Sequence, residues 1–153
     1  MGFFEDLVAG AIGYSITKIE RGTYAGNNIN VVVIPKHINY IGEYAFNANP
    51  IEKIIIRNPN CEICEGAFFI GNGLKELHLK NCIPQNNIAS WFWGDVPADY
   101  CPEYLSDCVL YVPKGTAYLY YGYNEQPEYD TLCLDGSWDY SNTYLFFKDI
   151  EEE

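Results

Sequence analysis

A short motif recurs along the chain with a period of 22 residues. It reads IERGTY from Ile19, IGEYAF from Ile41 and ICEGAF from Ile63, with an aromatic residue five positions after each isoleucine. A fourth copy, IASWFW from Ile88, keeps this internal spacing but starts 25 residues after the third copy. Such a regular spacing indicates that neighbouring units share one local structure and stack on one another.

A second motif, a short apolar strand, keeps phase with the first. It reads VVIP from Val32, IIIR from Ile54, LHLK from Leu77 and LYVP from Leu110. One further apolar position precedes each of the first three strands by three residues: Ile29, Ile51 and Leu74. A period of about 20–29 residues with one strand per unit is typical of leucine-rich repeats, whereas β-sandwich strands recur every ~8–12 residues.

These two motifs predict a β-rich leucine-rich-repeat solenoid of the α/β type. About four repeats of roughly 22–25 residues would form a short parallel β ladder, with short helical turns opposite the strands. Alternation along each strand should turn one set of side chains into the core: Val32, Ile34, Ile54, Ile56, Leu77, Leu79, Leu110 and Val112. Four aromatic residues should fill the core from the other side: Tyr24, Phe46, Phe68 and Trp93.

The chain is predicted to form one domain over residues 1–153, with a cap at each end. In the segment FFEDLVAGAI the apolar residues lie on one helical stripe, which predicts an N-terminal capping helix over residues 1–14. An amphipathic partner helix or membrane anchor is the alternative, but the segment is acidic and lacks Lys and Arg. Residues 15–113 hold the repeats, and residues 114–153, rich in Tyr and without the period, should form the C-terminal cap because an uncapped core would aggregate.

The repeat resembles the BspA-like leucine-rich repeats, whose units read as strand-Ile-Pro, then Val/Ile-x-x-Ile-Gly, then x-x-Ala-Phe. The segment VVVIPKHINYIGEYAF at residues 31–46 matches this pattern closely, and ICEGAF and IERGTY are weaker copies. LYVPKGTAYLYY at residues 110–121 and FFKDIEEE at residues 146–153 are similar to the family's terminal unit. The resemblance implies a right-handed solenoid, often found on surface-associated or secreted bacterial proteins and used in adhesion and protein binding.

The charge of the chain restricts its partners. A net charge of −12 should repel nucleic acids and anionic lipid surfaces, so a basic protein or a neutral ligand fits better. The N-terminus does not read as a secretory signal, since Glu5 and Asp6 come early and the first basic residue is Lys18. No stretch is long enough to span a bilayer. We therefore expect a cytoplasmic protein as the chain stands, or a cell-surface or secreted one if an export segment has been removed.

Catalytic and metal-binding motifs are scarce, so we expect neither an enzyme nor a cofactor. The only histidines are His37 and His78, and no hydrolase, metalloprotease or phosphate-binding motif is present. CEIC at residues 61–64 has the spacing of half a zinc site but lacks a second half. The six cysteines suit buried free thiols better than a disulfide framework, although disulfides stay open as an alternative.

The outward side of the strand ladder is the first candidate binding surface. Eight residues are candidates for a partner-binding face: Val33, Lys53, Ile55, Arg57, Glu76, His78, Lys80 and Tyr111. Val33, Ile55, His78 and Tyr111 would form a central stripe with a positive edge. Solenoids bind protein partners over such extended faces, although a merely solvated face is an equally good interpretation.

A second candidate surface is aromatic and would suit a sugar ring. It comprises Trp91, Phe92, Tyr100 and Tyr104, on or beside an irregular insertion at residues 95–108. The functional hypotheses are therefore a non-catalytic module for protein–protein interaction and, as the alternative, a surface adhesin or carbohydrate-binding module. A purely structural or self-associating subunit is a third hypothesis.

Overall fold

A computed structural model of the protein describes residues 16–69, 73–81, 88–92, 105–122 and 147–153. In chain order the elements are β1 (Lys18–Ile19), β2 (Val31–Ile34), β3 (Tyr40–Ile41), β4 (Lys53–Ile56), β5 (Glu62–Ile63), β6 (Glu76–Leu79), a 3₁₀ turn (Ile88–Trp91), β7 (Val109–Val112), α1 (Ala117–Gly122) and β8 (Asp149–Glu152). The predicted capping helix at residues 1–14 lies outside the described residues.

The apolar strand motifs form a five-stranded, fully parallel sheet with the order β2-β4-β6-β7-β8. The register pairs equivalent positions of successive units, since Val32 is opposite Ile54, Ile54 opposite Leu77 and Leu77 opposite Leu110. The predicted parallel ladder is therefore confirmed. A fifth strand, β8, comes from the segment that we assigned to the C-terminal cap, and it pairs Ile150 with Leu110.

The core lies on the inward side of this sheet, which is the side that strand alternation predicted. All eight predicted inward side chains are buried, and so are the apolar residues that precede the strands: Ile29, Ile51 and Leu74. Fully burying a side chain such as isoleucine or leucine contributes about 1.5–3 kcal/mol. Because each strand supplies two such residues and its neighbours complete the burial, no single unit can form this core alone.

The isoleucines that start the first motif form a second parallel ladder. The two-residue strands β1, β3 and β5 pair in this order, which aligns Ile19, Ile41 and Ile63. Ile19 and Ile41 are buried, and Ile63 is half-buried against the core. Each of the first three units thus contributes one strand to each of two ladders.

Aromatic rings stack behind this second ladder. Ring centroids are 5.4 Å apart between Tyr24 and Phe46, 5.2 Å between Phe46 and Phe68, and 6.3 Å between Phe68 and Phe92. At the fourth position Phe92 continues the stack, whereas Trp93, which was predicted to fill the core there, lies outside the described residues. The backbone fixes this register, since the Phe68 N–H donates to the carbonyl of Trp91.

The segments that carry these aromatic rings are hydrogen-bonded turns. Gly22, Tyr44 and Gly66 occupy equivalent positions, all with φ between 54° and 66°. The second of these positions holds Tyr44 and not a glycine. A tyrosine in the left-handed region lowers the free energy of unfolding by about 1 kcal/mol or more. Gly42 meets a different constraint, since a Cβ there would lie 2.6 Å from the backbone nitrogen of Arg21 in the preceding unit.

Buried asparagines join neighbouring units. The side chain of Asn49 accepts from the N–H groups of Asn27 (2.8 Å) and Ile29 (3.1 Å). Its amide donates to the carbonyls of Tyr24 (2.9 Å) and Phe46 (2.8 Å). One side chain thereby forms hydrogen bonds with backbone groups of two successive units.

The segment after β7 packs across the last described strands. The Tyr120 side chain in α1 is fully buried, and its hydroxyl donates to the carbonyl of Asn81 at 2.7 Å. The Glu152 carboxylate in β8 accepts from the N–H of Ala117, the first residue of α1, at 2.9 Å. No helix within the described residues is long and apolar enough to span a bilayer.

Candidate partner-binding face

The structure brings the predicted central stripe into one row across the sheet. Val33 pairs with Ile55, Ile55 with His78 and His78 with Tyr111, so their side chains project from adjacent strands on the same side. The row continues to Glu151 in β8. Alignment of the strand motifs together with strand alternation was sufficient to predict the row.

Burial divides this row into covered and accessible positions. Val33 is 4% exposed and His78 is 8% exposed, although both lie on the outward side of the sheet. Ile55 and Tyr111 are half-buried and keep apolar surface in contact with solvent. The accessible part of the stripe therefore narrows to Ile55 and Tyr111.

The predicted positive edge is largely neutralised within the chain. Lys53 Nζ lies 2.8 Å from Glu76 Oε2, and Lys80 Nζ lies 2.6 Å from Glu153 Oε1. Arg57 is exposed beside Lys80, and no ion pair of Arg57 occurs within the described part of the chain. The face thus carries alternating charges rather than a positive edge.

His78 lies at the centre of these charges. Its Nδ1 lies 2.8 Å from Glu153 Oε2, and its Nε2 lies 2.9 Å from Glu76 Oε2. The imidazole also stacks on the ring of Tyr111, with centroids 4.3 Å apart and planes inclined by 6°. Sequence reasoning predicted the position of His78 on the face but not its contact with Glu153, 75 residues further along the chain.

The carboxylates around His78 are held in their charged form. Hydrogen bonds from Lys53 and His78 lower the pKa of Glu76. Burial raises the pKa of Glu153, but hydrogen bonds from Lys80 and His78 outweigh it and lower the pKa below its ordinary value. Burial and the nearby carboxylate of Glu151 raise the pKa of Tyr111, so its phenol stays neutral.

The predicted aromatic surface patch is not formed by its first two members. Trp91 and Phe92 are 5% and 2% exposed, and Phe92 belongs to the core stack. Their placement on an exposed patch was wrong because the 3₁₀ turn directs both rings into the core. Tyr100 and Tyr104 lie outside the described residues. The exposed aromatic ring that sequence reasoning missed is Phe69, which is 37% exposed beside Tyr44.

The described cysteines are free thiols. Burial raises the pKa of Cys61 and Cys108 to about 12, which makes both thiols poor nucleophiles and poor metal ligands at neutral pH. The Cys64 thiol is half-buried, with its sulfur 3.3 Å from the hydroxyl of Tyr40. Cys82, Cys101 and Cys133 lie outside the described residues. Among the residues that the structure does describe, no three His, Cys, Asp or Glu side chains group as metal ligands would.

A shallow cleft of about 420 Å³ lies at β1. Its lining runs from Ile16 to Glu20 and includes Thr23 and Tyr24. The side chains of Lys18 and Glu20 are exposed at its edge, where solvent screens their charges.

Comparison with known proteins places the chain in a family. A search of curated proteins and a search of solved structures each found no match. A family model described as BspA type leucine rich repeat region matches residues 6–91 in six copies. Because this match covers more than half of the chain and includes the units that form β1 to β6, the chain belongs to the BspA-type leucine-rich repeat family.

Proposed function

We propose that the protein is a non-catalytic repeat module that binds a protein partner through the outward face of the five-stranded sheet. Repeats of this family generally mediate protein–protein interaction and are generally not enzymes. The observation that carries the proposal is the row of paired strand residues in which Ile55 and Tyr111 keep apolar surface exposed. We further propose that about four units close into a right-handed solenoid, which holds this row rigid.

The chemistry of the face favours a mixed apolar and polar contact. Ile55 and the ring of Tyr111 offer apolar area at its centre, and interface centres are enriched in such aromatic residues. Arg57 at the rim can form bidentate hydrogen bonds with a carboxylate or with backbone carbonyls of a partner. At long range the net charge of −12 favours a partner that is basic or neutral overall.

The double variant Ile55→Ser and Tyr111→Ser tests this face. We expect it to retain the fold, because both side chains are half-buried on the outward side and neither belongs to the core. Loss of two central apolar anchors should weaken binding by about 2 kcal/mol or more, which is roughly a thirtyfold rise in Kd. Proximity crosslinking in the native source, followed by quantitative binding of the captured protein, measures the change.

The matched control is Phe69→Ser. Phe69 is also an exposed apolar residue, but it lies in the turn segment after β5 rather than in the strand row. It should leave the Kd of the captured partner unchanged. Equal weakening by both variants, or unchanged binding of the double variant with an intact circular dichroism spectrum, would contradict the proposal.

A further inference from the structure

His78 connects three strands of the sheet through one side chain. It lies in β6, its ring stacks on Tyr111 of β7, and its Nδ1 reaches the Glu153 carboxylate that follows β8. Its other nitrogen contacts Glu76 on the same strand. The contact with Glu153 therefore spans β7 and joins the end of β8 to β6.

The protonation of the ring decides whether both contacts can exist. A carboxylate only accepts hydrogen bonds, and a neutral imidazole donates from one nitrogen only. Both nitrogens can donate together only when the ring is an imidazolium cation. In a neutral ring, one nitrogen lone pair would face a carboxylate oxygen at 2.8 or 2.9 Å. The side chain of His78 is only 10% exposed, so water cannot easily relieve this repulsion.

We propose that His78 is a pH-sensitive clasp that fastens β8 to the sheet when it is protonated and loosens this fastening when it is neutral, because a neutral ring can donate to only one of Glu76 and Glu153. The proposal does not depend on whether the sheet face binds a partner. It concerns the order of β8 and the position of the Tyr111 ring, on which His78 stacks.

Charged and titratable groups lie around His78 on the neighbouring strands. They are Lys53 from β4, Glu76 and Lys80 from β6, Tyr111 from β7, and Glu151 and Glu153 from β8 and the residue after it. The phenol of Tyr111 stays neutral. Both carboxylates that contact His78 also pair with a lysine, Glu76 with Lys53 at 2.8 Å and Glu153 with Lys80 at 2.6 Å. Either carboxylate can therefore leave a neutral ring without losing its ion pair, and departure of Glu153 loosens β8.

The direction of the pH effect follows from these charges. The lowered pKa values of Glu76 and Glu153 keep both carboxylates ionised in mild acid, so neither limits the clasp there. Their stabilising contribution is lost only when the pH falls through those lowered values. The imidazolium contribution has the opposite sign, because it is present at low pH and lost as the pH rises and the ring loses its proton. The clasp is therefore closed while the ring is protonated and opens when the ring loses its proton as the pH rises.

Hydrogen exchange of the full chain at several pH values tests the clasp. The protection of β8 amides is compared with that of β4 amides, after correction for the intrinsic pH dependence of exchange. Between about pH 5.5 and about pH 8.5, where histidine generally changes charge, we expect the relative protection of β8 to fall about fivefold. Nitrogen-15 shifts of the His78 ring report at each pH whether one or both ring nitrogens carry a proton.

Three variants separate the clasp from other effects. His78→Gln should give β8 protection that no longer changes with pH, since its amide does not titrate in this range. Glu153→Gln should also remove the pH response, because a neutral amide at residue 153 can pair with either form of the ring. Glu52→Gln, which removes one carboxylate that is paired with Lys75, should behave like the parent chain. If His78→Gln does not fold, Glu153→Gln decides, because Glu153 is partly exposed and lies outside the core. A pH-independent β8 in the parent chain, or a pH response that survives in Glu153→Gln, would overturn the proposal.

Discussion

Asn49 has the most demanding role among the buried polar residues that the structure describes. It bonds through both ends of its amide, and its partners are backbone groups on either side of the unit boundary. Two of these partners, the N–H of Ile29 and the carbonyl of Phe46, are buried. No apolar side chain of similar size can replace these hydrogen bonds, because it would leave the backbone groups unsatisfied.

Asn49→Ala should therefore lower the free energy of unfolding by about 2–4 kcal/mol, since each buried backbone group left unpaired costs about 1–3 kcal/mol. Urea denaturation followed by tryptophan fluorescence measures this loss. Asn60→Ala is the control, since the exposed side chain of Asn60 makes no hydrogen bond within the described part of the chain. Equal effects of the two substitutions would show that Asn49 has no special role.

Individual residues were predictable where strand alternation decides their side. The positions of Ile55, His78 and Tyr111 in one row follow from the repeat length and the two-residue period of a strand. The contact of His78 with Glu153 was not predictable, because it depends on a strand outside the repeat pattern. The fourth core aromatic was predicted at Trp93, which lies outside the described residues, whereas the ring next to Phe68 in the stack is Phe92, directly after the 3₁₀ turn.

The aromatic stack acts as one element that runs through the repeat units. Phe68 lies between the rings of Phe46 and Phe92 and is fully buried. Offset stacking adds about 0.5–1.5 kcal/mol to the contribution of burial for each aromatic pair. Removal of a central ring leaves a cavity and separates two neighbouring units at once.

Phe68→Ala should cost about 3–5 kcal/mol of stability, the usual range for a buried phenylalanine. Phe69→Ala provides a matched control at the next position, because its ring is exposed and should cost less than about 1 kcal/mol. Thermal and urea unfolding of both variants measure the difference. A small effect of Phe68→Ala would mean that the neighbouring units close the cavity by moving together.

Four of the five strands of the larger sheet could be predicted, and those of the smaller sheet could not. Four residues with alternating burial, at least three of them apolar, give β4 and β7 a recognisable pattern. The two-residue strands β1, β3 and β5 are too short to show any alternation, so the sequence marked only their isoleucines. β8 occurs once and has no equivalent at the repeat spacing, which explains its assignment to a cap.

At the scale of the whole molecule, the excess of acidic groups opposes folding. The chain carries a net charge of −12, and compact states of such chains are destabilised by self-repulsion. Exposed ion pairs such as Lys75 with Glu52 offset little of this self-repulsion, since each pair stabilises the folded state by about 0–1 kcal/mol. Screening by salt should therefore remove more repulsion than attraction.

We expect the melting temperature to rise by about 2–4 °C when sodium chloride increases from about 0.01 M to about 1 M, as the Debye length falls from ~30 Å to ~3 Å. Differential scanning calorimetry measures the shift. The variant Glu20→Gln and Glu65→Gln, which removes two exposed carboxylates, should melt higher at low salt and respond less to added salt. A melting temperature that falls with salt would show that the ion pairs outweigh the repulsion.

The order of strands in the larger sheet has a consequence for biosynthesis. Within the described residues, each strand of this sheet pairs with the one before it in the chain order β2, β4, β6, β7 and β8. When a unit leaves the ribosome, the strand with which it pairs has therefore already been synthesised. Its pairing does not depend on a segment that is still to be translated. Sequential docking of this kind keeps loop closure short and exposes one growing edge at a time. Assembly during translation can thus proceed in one direction, from the first repeat towards β8.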